Sequence, residues 1–245
     1  MPYNIGYMER NIYVVMMAGG SGLRMGADKP KQFLRLGNKP ILQCTIEKFI
    51  NACPGIKVVT VLPKDYLLAW RDYCSSSGFF YPQALVEGGI TRFHSVKNAL
   101  AKVPDGAIVA IHDGVRPLLS ESLIKNLLAM MKTAHAVIPI VPCIDTLKSI
   151  EQISSADGTS KFKAIEGKES DRSKIFCAQT PQIFLSEEIK DAYTAAYDLS
   201  FTDDASVAEN KKIPLTYVLG ERYNLKITTP EDLDIARAFV SLKKK

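Results

Sequence analysis

Val15-Met16-Met17-Ala18-Gly19-Gly20-Ser21-Gly22-Leu23-Arg24-Met25-Gly26 is the stretch on which the fold turns. The apolar run from Ile12 to Met17 reads as a buried strand. It breaks into a glycine-rich loop that leads to the cations Arg24 and Lys31. Glycines at 19, 20 and 22 let backbone N–H groups turn toward an anion with no Cβ in the way. A basic residue just beyond holds a phosphate by charge. A tight strand-to-helix turn with a surface arginine accounts for the glycines equally well. The second cluster, Lys29-Pro30-Lys31-Gln32, favours a polyphosphate site. Neither common phosphate loop is present. No Lys-Ser or Lys-Thr stands in the Walker position, and the dinucleotide fingerprint needs a glycine where Met25 stands.

A chain of 245 residues, 47% hydrophobic and 23% charged, can bury one substantial core, and residues 1–245 are read as one domain. No apolar run reaches the ~18–20 residues that cross a bilayer, and the first ten residues lack the apolar segment of a signal peptide. The five cysteines are scattered with no C-x-x-C pair, which suits reduced thiols in a cytoplasm. The three histidines lack H-E-x-x-H spacing. Of the net charge of +5, Lys243-Lys244-Lys245 supply three, and no basic helix interleaves with aromatics. Small acidic substrates explain the internal cations better than nucleic acid does.

Strand and helix signals alternate. Ile41 to Ala52 reads as a helix and Ile56 to Leu62 as a strand. A helix after Pro63 places Leu67, Trp70, Tyr73 and Cys74 on one face. Phe79 to Val86 reads as a strand pushed toward an edge by Pro82. Thr91 to Val103 is helical, Ala107 to Ile111 a buried strand, Ser120 a helix cap and Ala136 to Val141 a strand. This order predicts an α/β, Rossmann-like, doubly wound and mostly parallel sheet. Asp145 to Ile150 and Lys161 to Ile165, around a polar turn at residues 154–158, predict an extended β-arm over about 145–175. The arm has too little apolar surface to stand alone, so it is expected to pack on a second copy in a homodimer. Helices over 187–197 and 203–211, a strand over 215–219 and a helix over 230–242 complete the reading.

Gly88-Gly89-Ile90-Thr91-Arg92-Phe93-His94-Ser95 sits at a strand-to-helix junction. It reads either as a nucleotide contact or as a plain capped helix. His112-Asp113-Gly114-Val115-Arg116 follows a buried strand, where open α/β sheets bind ligands. One Asp with substrate phosphates is a usual way to hold Mg²⁺. An Asp113–Arg116 surface pair reads the same residues, and His112 is read as a packing or orienting residue. Lys226, between Leu225 and Ile227, reads as a cation at the site or as an outward edge-strand lysine. Thr202-Asp203-Asp204-Ala205-Ser206 is a strong helix cap, and Gln179-Thr180-Pro181-Gln182 a turn whose amide side chains have no evident structural need.

In order and spacing, AGGSGLRMG, PKQF, GG…R..S, HDGVRP, DT, DR, QTPQ, TDDAS and NLKITTPEDL resemble the 2-C-methyl-D-erythritol 4-phosphate cytidylyltransferase family, over about Ile12 to Val240. The resemblance implies that Arg24 and Lys31 bind and polarise CTP, and that Asp113 holds Mg²⁺. It implies that Ala18, Gly19, Gly20, Gly88, Gly89 and Ser95 frame the cytidine, with Arg92 and Gly114 beside them. It assigns Arg116, Thr146, Arg172, Thr202 and Lys226 to the methylerythritol phosphate, a polyol phosphate. Gly114 departs from the alanine usual in that family, and Glu169-Ser170 precede Asp171-Arg172 where a hydrophobic residue is usual. A ribitol 5-phosphate cytidylyltransferase shares the CTP half, and a nucleotide-binding module without catalysis is the alternative of another class. Two polyanions must meet, so the site must supply cations and geometry. A phosphate monoester is already a nucleophile near neutral pH, and no general base is required.

Overall fold

A computed structural model describes residues 10–20, 30–154, 160–165 and 171–242. Arg24 and the rest of its loop over 21–29, the arm's turn over 155–159 and the terminal lysines lie outside the described residues.

The opening strand, β1 (Ile12–Met17), lies inside the sheet because both its faces are apolar. The chain continues through the short strands β2 (Arg35–Leu36) and β3 (Lys39–Pro40), α1 (Ile41–Ala52), β4 (Lys57–Leu62), α2 (Leu67–Ser77), β5 (Gln83–Glu87) and α3 (Arg92–Leu100). It then forms β6 (Ile108–Asp113), α4 (Glu121–Met130), β7 (Ala136–Pro142), and the hairpin β8 (Ile150–Ser154) and β9 (Ser160–Ala164). After β10 (Phe176–Ala178) and β11 (Gln182–Leu185) come α5 (Ser186–Ala192), α6 (Asp204–Asn210), β12 (Leu215–Leu219) and α7 (Pro230–Leu242).

β6, β1, β4 and β5 are parallel neighbours, with Val14 opposite both Val58 and Ala110. The chain fills β1, β4 and β5 outward in one direction and then crosses to β6 on the other side of β1. That reversal opens a crevice at the C-terminal ends of the strands. Alternation along β1 sorts the core. Val15 faces Phe93, Val96 and Leu100 of α3, whereas Val14 and Met16 face Leu42, Ile46 and Phe49 of α1 and Leu123 of α4. Each such fully buried side chain stabilises the fold by about 1.5–3 kcal/mol. A third cluster joins Ile41 to Leu233 and Ala236 of α7 and fixes Ile227 and Val115 near the crevice.

The sheet is mostly parallel, but β11 runs antiparallel between β6 and β7 and β10 antiparallel to β7. Ile140 pairs with Ala178 on one edge of β7 and with Leu219 of β12 on the other. The sequence reading assigns no strand to β10 or β11 and a turn only to residues 179–182, because strands this short carry no periodicity. β5 starts at Gln83, not Phe79. Pro82 has no N–H for the ladder, and Phe79 instead packs against Trp70 with ring centroids 6.3 Å apart. The helix expected over 187–197 ends at Ala192, and that expected over 91–103 runs Arg92–Leu100 with Thr91 as its cap. The arm's first strand begins at Ile150 rather than Asp145 and takes in Ser154, which had been placed in the turn.

Candidate active site

Loops after β1, after β5 and after β6 meet the segment around Lys226 at a cavity of about 570 Å³. Its wall includes Ala18, Gly19, Gly20, Lys31, Gly89, Arg92, Ser95, Asp113 and Lys226, which were singled out from the sequence. Among the described residues, Met17, Gln32, Ile90, Thr91 and Val115 also line it.

The glycine loop is tied down at its start. Ala18 donates its N–H to Val61 O at 3.0 Å. Buried Gln32 donates Nε2 to the carbonyls of Ala18 at 2.6 Å and Gly20 at 3.2 Å. Gln32 therefore shapes the loop from below, a role its sequence position did not announce. Gly89 lies flat on the start of α3, where a Cβ would stand 2.5 Å from His94 Cβ and 2.9 Å from His94 C, so only glycine fits. Ser95 Oγ accepts the Gly89 N–H at 2.9 Å and donates to Thr91 O at 2.9 Å. Its hydroxyl thus holds the Gly89 turn in place.

Arg92 is not an open cation. Its Nη1 and Nη2 donate to Oδ1 and Oδ2 of fully buried Asp204 at 2.9 and 2.6 Å. Burial pulls the guanidinium down, but Asp204 outweighs it and holds Arg92 protonated. The adjacent Asp203 caps α6 through a capping box with Ser206. The cap read in TDDAS is thus present, and its second acid does something else.

Asp113 ends β6 with its N–H on Thr180 Oγ1 at 3.1 Å. Its Oδ2 takes Arg116 Nε at 3.0 Å and Lys226 Nζ at 3.1 Å. Burial pushes the carboxyl up, and Lys226, Arg116 and Arg92 overcome that and hold it well below the usual carboxylate range. The expected Asp113–Arg116 pair exists, but it is buried and has Lys226 as a third member. Lys226 does not point outward, because no strand forms there. The Ile227 N–H binds Val115 O at 2.9 Å and buries Ile227, which turns Lys226 to the cavity.

His112 is buried against Phe49, with Nδ1 3.0 Å from Thr180 Oγ1 and Nε2 3.4 Å from Arg116 O. Burial pushes it down to about 3, so it orients this corner as a neutral ring. Because its folded value lies below the unfolded 6.5, its contribution to stability is complete above about pH 6.5 and is lost as the pH falls toward about 3. Between about pH 7 and about pH 5 the wild type should lose about 2 kcal/mol through this group. Urea unfolding of His112→Gln at both pH values should show a flatter dependence, and an unchanged slope would assign the acid lability to other groups.

Other singled-out residues stay off the wall. Gly114 gives its N–H to Met17 O at 2.9 Å and its carbonyl to Thr45 Oγ1 at 3.1 Å. A Cβ there would lie 2.9 Å from Leu42 Cδ1, so the site expected to touch nucleotide is packing beneath the loop. Gly88 sits behind Gly19 with its N–H on Leu62 O at 2.9 Å. Arg116 reaches the cavity only through Asp113, its Nη1 being held by Asn224 O at 2.8 Å. Thr146 and Thr202 are exposed, and Arg172 donates Nη1 to Ile144 O at 3.1 Å at the arm's neck. The amides of QTPQ have structural work after all. Gln179 exchanges bonds with Glu221, Nε2 to O at 2.8 Å and N–H to Oε1 at 3.2 Å, while Gln182 accepts Ala205 N–H at 2.8 Å.

The family model for IspD, 2-C-methyl-D-erythritol 4-phosphate cytidylyltransferase, matches residues 12–242. The chain belongs to this family. It is 43% identical over 229 residues to the 2-C-methyl-D-erythritol 4-phosphate cytidylyltransferase of Azobacteroides pseudotrichonymphae, covering 93% of this chain and 98% of that one. The enzyme of the same name from Porphyromonas gingivalis is 40% identical over 236 residues, covering 96% and 100%. Among solved structures, the 4-diphosphocytidyl-2C-methyl-D-erythritol synthase of Anaerococcus prevotii superposes with a TM-score of 0.73 at 27% identity, covering 95% and 99%. The IspD fold is therefore this chain's fold.

Proposed function

We propose that this protein joins CTP to 2-C-methyl-D-erythritol 4-phosphate, releasing pyrophosphate and 4-diphosphocytidyl-2-C-methyl-D-erythritol, as one cytoplasmic domain over residues 1–245. The observation that carries this reading is the convergence of Lys31, Arg92, Asp113 and Lys226 on one cavity beside the glycine loop, in a chain of the IspD family. A phosphate oxygen of the polyol phosphate attacks the α-phosphorus of CTP. The bond from that phosphorus to the bridging oxygen breaks, and its electron pair leaves with pyrophosphate. Lys31, with Arg24, draws charge from the triphosphate, while Lys226 and Arg172 hold the attacking phosphate in line. Ala18, Gly19, Gly20, Gly89 and Ser95 frame the cytidine, with Gly88 and Gly114 shaping the loops behind them. Arg116 fixes Asp113, and Thr146 and Thr202 serve the polyol phosphate.

Asp113 suits Mg²⁺. It is a buried carboxylate whose two cation contacts both fall on Oδ2, and its Oδ1 accepts no hydrogen bond among the described residues. No cluster of three or more His, Cys, Asp or Glu exists among the described residues, so the remaining ligands would come from phosphates and water. The ion would supply charge neutralisation of the triphosphate. The deciding experiment incubates the protein with CTP, Mg²⁺ and each polyol phosphate separately and follows pyrophosphate. Release is expected with methylerythritol phosphate; release with ribitol 5-phosphate alone overturns the assignment.

Arg172 and Thr146 lie on the arm, away from the cavity wall. The arm is a two-stranded hairpin whose Ile150, Ile153 and Phe162 are exposed, too thin to hold itself. These facts support a homodimer in which the partner's Thr146 and the partner's Arg172 complete each site. Mixing inactive Arg172→Ala with inactive Lys31→Ala then gives mixed dimers with one site carrying both lesions and one carrying neither. Activity should return to roughly a quarter of the wild type after full exchange. No recovery, with exchange shown by mass, would place Arg172 in its own chain's site.

A further inference from the structure

Lys226 stands on a segment, residues 220–229, that forms no helix or strand. Burial of Ile227 turns the lysine inward, and Asn224 holds the chain on the other side of it. Asn224 is fully buried. Its Nδ2 donates to Thr180 O at 2.7 Å, and its own carbonyl accepts Arg116 Nη1 at 2.8 Å. Thr180 Oγ1 accepts the Asp113 N–H at 3.1 Å, and Arg116 Nε donates to Asp113 Oδ2 at 3.0 Å. These contacts close a ring from Asp113 through Thr180, Asn224 and Arg116 back to Asp113. Lys226, two residues beyond Asn224, meets the ring from outside, with Nζ 3.1 Å from the same Oδ2. The start of the segment is pinned separately. Glu221 accepts the Ser120 N–H at 2.9 Å at the head of α4, and a Cβ on Gly220 would collide with Gln179 Oε1.

An ammonium on a flexible four-carbon stem has no direction of its own, so the backbone beneath it must supply one. The Asn224 amide supplies it at a cost. Its Oδ1 is buried and accepts no hydrogen bond among the described residues, which lowers stability. Proteins keep defects of this kind where function needs them. We propose that Asn224 is a positioning residue that fixes Lys226 at Asp113 and so sets the line along which the polyol phosphate meets CTP. This rests on the reading of Lys226 as a cation for that phosphate. A displacement of about 1 Å in a positioning group costs on the order of 100-fold in rate.

The test compares Asn224→Ala, Lys226→Ala and the double variant of the full-length protein. Steady-state kinetics are measured with each substrate varied, and binding by titration with each substrate while Mg²⁺ is withheld. Asn224→Ser, whose smaller hydroxyl leaves room for a bridging water, takes the place of Asn224→Ala if that variant does not fold. Asn224→Ala should lower kcat/KM for methylerythritol phosphate by on the order of 30- to 100-fold and weaken its binding about tenfold. Asn224→Ser should lose about tenfold in kcat/KM. CTP affinity should stay within about twofold of the wild type in both. In the Lys226→Ala background the Asn224 substitution should cost less than about threefold more. Mere structural support would not give that result, because lost packing costs the same with or without Lys226. Losses that multiply independently overturn the proposal, as does a fall in CTP affinity as large as that for the polyol phosphate. So does a folded Asn224 variant with kcat/KM within about twofold of the wild type. Lys226→Ala at the wild-type rate overturns the proposal together with the reading of that cation. A wild type that binds methylerythritol phosphate yet releases no pyrophosphate defeats the proposed reaction alone, since the affinity of Asn224→Ala for it still judges Asn224. A wild type that does not bind it overturns both.

Discussion

Lys31→Ala is expected to lower turnover by on the order of 100- to 1,000-fold, about 3–4 kcal/mol of barrier, in a protein that still folds. The segment that carries this side chain is held by its neighbours. Its turn, Lys31–Phe33, is anchored by Gln32 on the carbonyls of Ala18 and Gly20. Phe33 adds stacking on Tyr66 at 5.1 Å and an edge contact with Trp70 at 6.0 Å. Alanine at 31 leaves all of these in place. What disappears is a cation on the cavity wall next to the glycine loop. If Lys31 acts on charge that builds as pyrophosphate departs, kcat and kcat/KM fall together; if it only binds CTP, KM rises alone. Rates within about twofold of the wild type in the folded variant would remove Lys31 from the chemistry. The same loss is expected of Arg24→Ala on the strength of the family resemblance.

Asp113→Asn should act on both stability and Mg²⁺ dependence. The carboxylate holds Arg116 and Lys226 on one oxygen, and Arg116 is 12% exposed at its side chain. An amide in that place leaves the arginine without its counter-charge, and breaking a buried pair in this way costs about 3–5 kcal/mol. The bond from Arg116 Nη1 to Asn224 O and the partial exposure of Lys226 should keep the loss at the lower end. A neutral amide is also a poor ligand for a hard cation, so the Mg²⁺ concentration for half-maximal rate should rise steeply. Urea unfolding reads the first effect and a Mg²⁺ titration of pyrophosphate release the second. Lost stability with an unchanged titration would make Asp113 a holder of cations rather than of the metal.

The sequence by itself determined the sheet core and its helices. Ile12 to Met17 is apolar throughout and Val58 to Leu62 is apolar except for Thr60, the composition of strands buried on both faces, and the two are found parallel and adjacent. The bounds of α1 follow from Leu42, Ile46 and Phe49 falling on one face, and Ser120 caps α4 as its position foretold. Local spacing also found much of the cavity wall, because the loops at the ends of β1, β5 and β6 carry their glycines and charges in short runs.

Only the tertiary structure decided what depends on residues far apart in the chain. β11 owes its place between β6 and β7 to pairing across distant segments, and Gln182–Leu185 is too short to declare itself. Lys226 faces inward because Ile227 is buried in the cluster around α7, not because of its neighbours in sequence. Asp203 and Asp204 make the point at the smallest scale. They are the same residue type at adjacent positions of one helix start, where short-range rules see two capping acids. Asp203 remains at the helix end and caps it, while Asp204 is rotated inward against Arg92 and Tyr193. The angle between successive helical positions and the packing of α3 against α5 and α6 separate an ordinary cap from a buried counter-ion.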